Sequence, residues 1–311
     1  MKRLSNVLVV IIPLVLLWAC SSHPYSKTNR DHRQQAKQYS KELRQFPPRH
    51  GGDDSLHYGP IWVGTTNFNL RKPNYVVIHH TAQHSVDQTL RTFTLPRTSV
   101  SSHYVIGRNG EVYQMLNDYY RAWHGGIGKW GNNEDLNSSS IGIELDNNGY
   151  EPFSEELIES LLDLLHVLKD RHGIPTANFI GHSDIAPSRK VDPNANFPWK
   201  KLAEEGFGLW YDDIAVTPKV LGDSLKVQDQ DLTRTRQLRV AKSEVMVGGS
   251  STDSLDITIN PREALRIIGY DTSDMPAAVR AFKLHFIQKD IQPVLSDDEL
   301  KILYNLYQKY L

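Results

Sequence analysis

Apolar and polar positions divide the chain into five stretches. Val7 to Ala19 is an unbroken apolar run of 13 residues, preceded by Lys2 and Arg3 and ended by Cys20. It is too short to span a bilayer but suits the core of a signal peptide over residues 1–19, so the chain is expected to be exported. Residues 20–55 are polar and charged with little apolar periodicity, which predicts a flexible or loosely helical tether. Between residues 56 and 215 the pattern is dense. Runs at Tyr75–His79, His103–Ile106, Val112–Met115, Ile141–Leu145 and Phe179–Ile180 predict short strands, and Arg108-Asn109-Gly110 reads as a hairpin turn. Ser154 is placed to cap a helix whose buried stripe is Leu157, Leu161, Leu164, Leu165 and Leu168 and whose stop is Gly173. The fold class is therefore α/β, a mixed sheet flanked by helices. Residues 216–260 are polar, with Gly248-Gly249-Ser250-Ser251-Thr252, and read as a linker or loose insertion. Residues 261–311 carry three helical patterns. Pro261 opens the first, with Leu265 and Ile268 on one face and Gly269 as its stop; Val279, Phe282 and Phe286 line the second. A capping box, Ser296 to Glu299, opens the third, ahead of Leu300, Leu303, Tyr304, Tyr307 and Leu311.

Charge and cysteine content narrow the classes. With 35 basic against 36 acidic side chains, no net field draws the chain toward nucleic acid. A single cysteine excludes an internal disulfide and any Cys-rich metal site. That cysteine ends Leu17-Trp18-Ala19-Cys20, which resembles a bacterial lipobox, with Trp18 a bulky departure. The resemblance implies a lipid on Cys20, and Ser21 and Ser22, lacking the retention Asp, imply an outer-membrane lipoprotein facing the periplasm. The three C-terminal helices resemble a small peptidoglycan-binding module, and a helical cap packed on the main domain fits the same pattern.

Residues able to do chemistry gather at predicted strand ends. His79 and His80 end one strand, and period-two alternation sends them to opposite faces, so one of the two enters a given site. In Ile141-Gly142-Ile143-Glu144-Leu145-Asp146 the aliphatic residues take the core face and Glu144 and Asp146 the other. His182 follows Phe179-Ile180-Gly181; Lys190 and Asp192, two apart, share a face that Arg189 and Val191 do not. Two histidines and an aspartate from separate strand ends suit catalytic Zn2+, which takes three protein ligands and keeps a fourth position for water. A nearby carboxylate can then take the water's proton. Taken singly, no residue of this set is diagnostic in a chain with 13 histidines. Gly126 to Gly131 spells G-x-G-x-x-G but follows no apolar strand and opens no helical pattern, so no nucleotide cofactor is expected. His50, His57, His84, His166, His172 and His285 have no comparable company and read as structural or solvated.

The spelling around these positions is more specific. Val77-Ile78-His79-His80-Thr81-Ala82, Ser102-His103-Tyr104-Val105-Ile106-Gly107-Arg108-Asn109-Gly110, Ala122-Trp123-His124-Gly125-Gly126, Ser140-Ile141-Gly142-Ile143-Glu144-Leu145 and Gly181-His182-Ser183-Asp184-Ile185-Ala186-Pro187-Ser188-Arg189-Lys190-Val191-Asp192-Pro193 occur in this order. Together they resemble the zinc-dependent N-acetylmuramoyl-L-alanine amidases of the amidase-2, AmpD-like family over about residues 56–215, the last segment being the most specific. The resemblance implies Zn2+ held by His79, His182 and Asp192, Glu144 as general base and Lys190 as oxyanion stabiliser. The implied reaction is hydrolysis of the amide between N-acetylmuramic acid and L-alanine of the peptidoglycan stem. Phage lysozyme-type members carry Tyr where Ser102 stands, so His103 and Tyr104 read as packing. Trp123 and His124, in a Gly-rich turn, are expected to line a substrate groove, against a buried Trp anchor beside a surface His. The implied partners are peptidoglycan or muropeptides and, through Cys20, the outer membrane; no nucleic acid is expected. Two other classes share the chemistry or the fold. A non-catalytic peptidoglycan-binding protein would lose a ligand, whereas Asp192 and Glu144 are present; a zinc peptidase cutting within the stem peptide differs only in its products. Imidazoles with the ordinary pKa of about 6.5 would release metal as pH falls through that value.

Overall fold

The computed structural model describes residues 23–44, 67, 70–212, 236–241, 254–289 and 291–311. The chain divides into two compact units, Met1–Asn69 and Leu70–Leu311. In the first, α1 (Ser26–Glu42) has no buried residue and is laced by contacts between Lys27 and Asp31 and between Gln38 and Glu42. The polar stretch read as a loose tether thus contains a helix supported by its own i,i+4 pairs. The apolar run, Cys20 and residues 45–55 lie outside the described residues. Among the described residues no helix is long and apolar enough to cross a membrane.

The second unit is built on a sheet of β1 (Tyr75–His80), β2 (Tyr104–Ile106), β3 (Val112–Gln114), β4 (Ser140–Leu145) and β5 (Phe179–Gly181), in the order β3-β2-β4-β1-β5. β2 and β3 form the expected antiparallel hairpin, with Gly110 at φ +79° in its turn, a backbone conformation that glycine takes without Cβ strain. The β2–β4, β4–β1 and β1–β5 pairs are parallel. β1 and β4 lie inside the sheet, which is why both read as near-continuous apolar runs.

Connecting helices are α2 (Val86–Thr94), α3 (Leu136–Ser139), α4 (Glu155–His172), α5 (His182–Ile185) and α6 (Trp199–Glu204). α4 covers one face. Ser154 accepts the Leu157 N–H at its start and left-handed Gly173 ends it. Its Leu157, Ile158, Leu161, Leu165 and Leu168 pack on Val76, Ile78, Ile141, Ile143 and Leu145; Ile158 is buried where the sequence pattern favoured Leu164, which is half-buried.

Val77 and Ile180 point to the other face and share one core with Leu136, Ile185 and the C-terminal helices α7 (Pro261–Ile268), α8 (Met275–Phe286) and α9 (Asp297–Tyr310). Each of these begins at a side-chain cap, Asn260, Asp274 and Ser296 respectively. Leu311, expected on the buried stripe, is exposed. Tyr270, after α7, and His285, in α8, also reach α5 through one polar knot. The fully buried Asp184 accepts from Gly181 N–H at 2.7 Å, Tyr270 Oη–H at 2.8 Å and His285 Nδ1–H at 2.8 Å, and His285 stacks on Trp199. Within the stretch read as a linker, β6 (Arg236–Ala241) and β7 (Ser254–Ile259) pair antiparallel; the Gly-rich residues 248–252 lie outside the described residues.

Candidate active site

Three parallel strands deliver the site. Since β1, β4 and β5 run the same way, their C-terminal ends share one edge, the crevice where open α/β sheets bind ligands. The register pairs His79 with Glu144 and Ile78 with Gly181, so His79 and Glu144 stand side by side and His182 follows at the same level. Alternation gives His79 the Val77 face. His80 takes the opposite face, where its Nδ1 accepts the Asn194 N–H at 3.1 Å. The segment after α5 folds back, with Ser183 N–H donating to the Asp192 carbonyl at 2.8 Å and Arg189 donating to the carbonyls of Gly125 and Ile127. Asp192 is thereby turned toward the two histidines.

His79 Nδ1 and His182 Nδ1 lie 2.8 Å apart, and Asp192 Oδ2 is 3.2 Å from the first and 3.0 Å from the second. Among the described residues these three form a group whose donor atoms all lie within 4.8 Å. His182 Nε2 faces the Gly125 carbonyl at 3.2 Å, which can only accept, so the ring proton is on Nε2 and Nδ1 offers a lone pair. Atoms bound at the usual Zn–N and Zn–O lengths in a tetrahedron stand roughly 3.3–3.5 Å apart. Matching it takes about 0.5–0.7 Å of expansion between the two histidines and less toward Asp192, and an N,N,O donor set is one that Zn2+ accepts.

Electrostatics favour a cation here. Burial, then His182, push His79 down to about 4, so its imidazole is neutral through the physiological range. Asp192 Oδ2 stands 3.0 Å from the bare Nδ1 of His182, two acceptors that a cation between them would reconcile. Glu144 is pushed up to about 8 by burial and by Asp192, with Lys190 opposing. A divalent charge at the three donor atoms would act on Glu144 in the same direction as Lys190.

The geometry brings together His79, His182, Asp192 and Glu144, with half-buried Lys190 close enough to act on Glu144. Asp146 instead accepts from Arg108 at 2.8 Å. His103 Nδ1 accepts the Gly142 N–H and its Nε2 donates to the Tyr120 carbonyl, while Tyr104 donates to Asp118, so both residues serve packing. Trp123 is 53% exposed. His124, expected beside it in a groove, is corrected: it is only 8% exposed, with Nδ1 at 3.0 Å from His79 Nε2 and Nε2 at 3.1 Å from Ser140 Oγ. Both ring nitrogens are engaged below the site, leaving none for substrate. Sequence reasoning passed over Ser140, Asn194 and Asp184. One signal was present: a glycine inside a strand marks a close approach, and a Cβ on Gly142 would lie 2.4 Å from His124 Cγ.

Residues 69–195 match the Amidase_2 family model, N-acetylmuramoyl-L-alanine amidase. The N-acetylmuramoyl-L-alanine amidase AmiD of Escherichia coli (strain K12) is 39% identical over 153 residues, 44% of this chain and 54% of that protein. The 1,6-anhydro-N-acetylmuramyl-L-alanine amidase AmpD of Haemophilus influenzae is 39% identical over 103 residues, 33% of this chain and 56% of that protein. The chain thus spans about half the length of these curated relatives. In structure, the complex of Escherichia coli AmiD with anhydro-N-acetylmuramic acid-L-Ala-D-γ-Glu-L-Lys is similar at a TM-score of 0.61 and 27% identity, over 79% of this chain and 93% of that one. AmpDh3 of Pseudomonas aeruginosa is similar at 0.60 and 25%, over 82% and 99%. By sequence match over residues 69–195, sheet architecture and the His-His-Asp group at the strand ends, the α/β domain of this chain is similar to the N-acetylmuramoyl-L-alanine amidases of the Amidase_2 family.

Proposed function

We propose that this protein hydrolyses the amide between N-acetylmuramic acid and the L-alanine of peptidoglycan stem peptides, with Zn2+ held by His79, His182 and Asp192. The observation that carries the reading is the convergence of three donor atoms 2.8–3.2 Å apart beside the buried Glu144. When bound, Zn2+ supplies Lewis acidity toward water and toward the scissile carbonyl. Glu144, paired in register with His79, takes the proton from the attacking water and returns it to the leaving amine. The Lys190 ammonium opposes the negative charge that develops on the carbonyl oxygen. Exposed Trp123 offers a ring face for sugar or peptide. Chelation should abolish release of stem peptides from purified muropeptides and added Zn2+ should restore it; activity unaffected by chelation rejects the metal.

The lipobox-like segment supports a second, separable reading: Cys20 carries a lipid that holds the protein at the outer membrane facing the periplasm. Cys20→Ser should shift the protein from the membrane to the soluble fraction. Unchanged fractionation rejects the anchor.

A further inference from the structure

We infer that His124 and Ser140 are positioning residues that fix the tautomer of His79, so that its Nδ1 meets the metal as a lone pair. The inference rests on the reading of His79, His182 and Asp192 as metal ligands. Its starting point is a backbone carbonyl. Ser140 Oγ–H donates to the Leu136 carbonyl one turn back, at the start of α3, and that oxygen can only accept. The hydroxyl hydrogen being used, Ser140 Oγ faces His124 as an acceptor, so His124 Nε2, 3.1 Å away, carries the ring proton. His124 Nδ1 is then bare. His79 Nε2, 3.0 Å from it, must carry hydrogen, because the reverse assignment would set two lone pairs against each other. His79 Nδ1 is left as a lone pair facing His182 Nδ1 and Asp192 Oδ2, three acceptors that a cation held among them would reconcile, whereas the His79–His124 contact belongs to no such group.

The seat of His124 is built. Its backbone N–H and that of Gly125 both donate to Asn137 Oδ1, at 3.0 and 2.8 Å. Its ring lies over the strand where Gly142 has no side chain, and a Cβ there would come within 2.4–2.7 Å of three ring atoms. The ring meets His79 edge-on at 88°. The next residue, Gly125, uses its carbonyl to fix the proton of His182 on Nε2. One two-residue turn therefore orients both histidines, one through a ring and one through a carbonyl, and partners of this kind typically contribute 10- to 100-fold to metal affinity.

The test uses the full chain. Zinc affinity is measured by chelator competition near neutral pH, and the histidine tautomers of the metal-free protein are read by long-range 1H–15N correlation. Wild type should bind one equivalent, with His79 and His124 both as Nε2–H. Ser140→Ala, which frees His124 to move its proton to Nδ1, should weaken zinc about 10-fold, and His124→Phe about 10- to 100-fold. His124→Asn, whose Oδ1 can stand in for Nδ1 as acceptor, should stay within about 3-fold of wild type. Equal affinity in all four proteins, an Asn variant as weak as the Phe variant, or a wild-type His124 in the Nδ1–H form overturns the inference. The wild-type tautomers decide the matter even where a variant fails to fold. A wild-type chain that takes up no zinc overturns the metal-site reading instead, and the spectra still judge the relay.

Discussion

Burial shifts Glu144 up and His79 down, in both cases toward the neutral form. Without metal Glu144 is pushed up to about 8 even with Lys190 opposing; a divalent charge beside it would lower that value further and free the carboxylate to accept a proton near neutral pH. Glu144→Ala is expected to retain about one equivalent of zinc and to lose turnover by about 10²- to 10⁴-fold. Lys190→Ala should likewise keep zinc and lose mainly kcat, because an ammonium facing an oxyanion acts chiefly in the transition state. Zinc loss in either variant, measured by metal analysis, would make that residue part of the metal-holding group. For His79 the sign runs against the ordinary imidazole. Its folded pKa of about 4 lies below the usual value, so no proton competes for the ring between pH 6.5 and 5. Proton competition at His79 should therefore be absent through about pH 5.5 and set in nearer the depressed pKa, where the sequence alone suggested about 6.5. A His79 titration followed by 1H–15N NMR in the metal-free protein checks it, and a midpoint near 6.5 would contradict the burial argument. The residues of the His79, His182 and Asp192 group were legible because each sits in a contiguous motif segment; the His124–Ser140 contact was not, because it joins a turn to a strand start by tertiary contact alone.

At the scale of elements, the site depends on strand register more than on any loop. β1 and β4 pair so that His79 meets Glu144, and Gly142, two residues earlier in β4, leaves room for His124. Gly142→Ala should displace that ring and cost about 1–3 kcal/mol of stability, with weaker zinc binding as the companion effect. A melting temperature and zinc affinity equal to wild type would show that the ring has room to move. The strands of the sheet were legible from apolar runs and alternation, as was the helix Glu155–His172 from its cap, stripe and terminal glycine. The pair Arg236–Ala241 and Ser254–Ile259 was not, although Leu255, Ile257 and Ile259 alternate in the sequence. Short polar surroundings and the Gly-rich stretch between them outweighed that period-two signal.

At the scale of the molecule, the C-terminal helices share the hydrophobic core that backs the sheet, with Leu265, Phe282, Leu300 and Leu303 in one cluster with Val77 and Ile180. The alternation of helical stripes made the three helices legible, but not their docking, since a stripe states only that a face is buried and not against what. The knot at Asp184 ties them to the segment that begins with His182. Tyr270→Phe removes one donor from a fully buried carboxylate and should cost about 1–3 kcal/mol, read as a lower melting temperature. Stability unchanged within about 0.5 kcal/mol would mean that the hydroxyl contributes nothing net.

The central claim concerns which bond is cut. Mass spectrometry of the products released from purified sacculi by the zinc-loaded protein tests it most directly. The account predicts free stem peptides with L-alanine at the N-terminus and glycan strands whose muramic acid is intact. New reducing sugar ends, or cuts between stem amino acids, would contradict it.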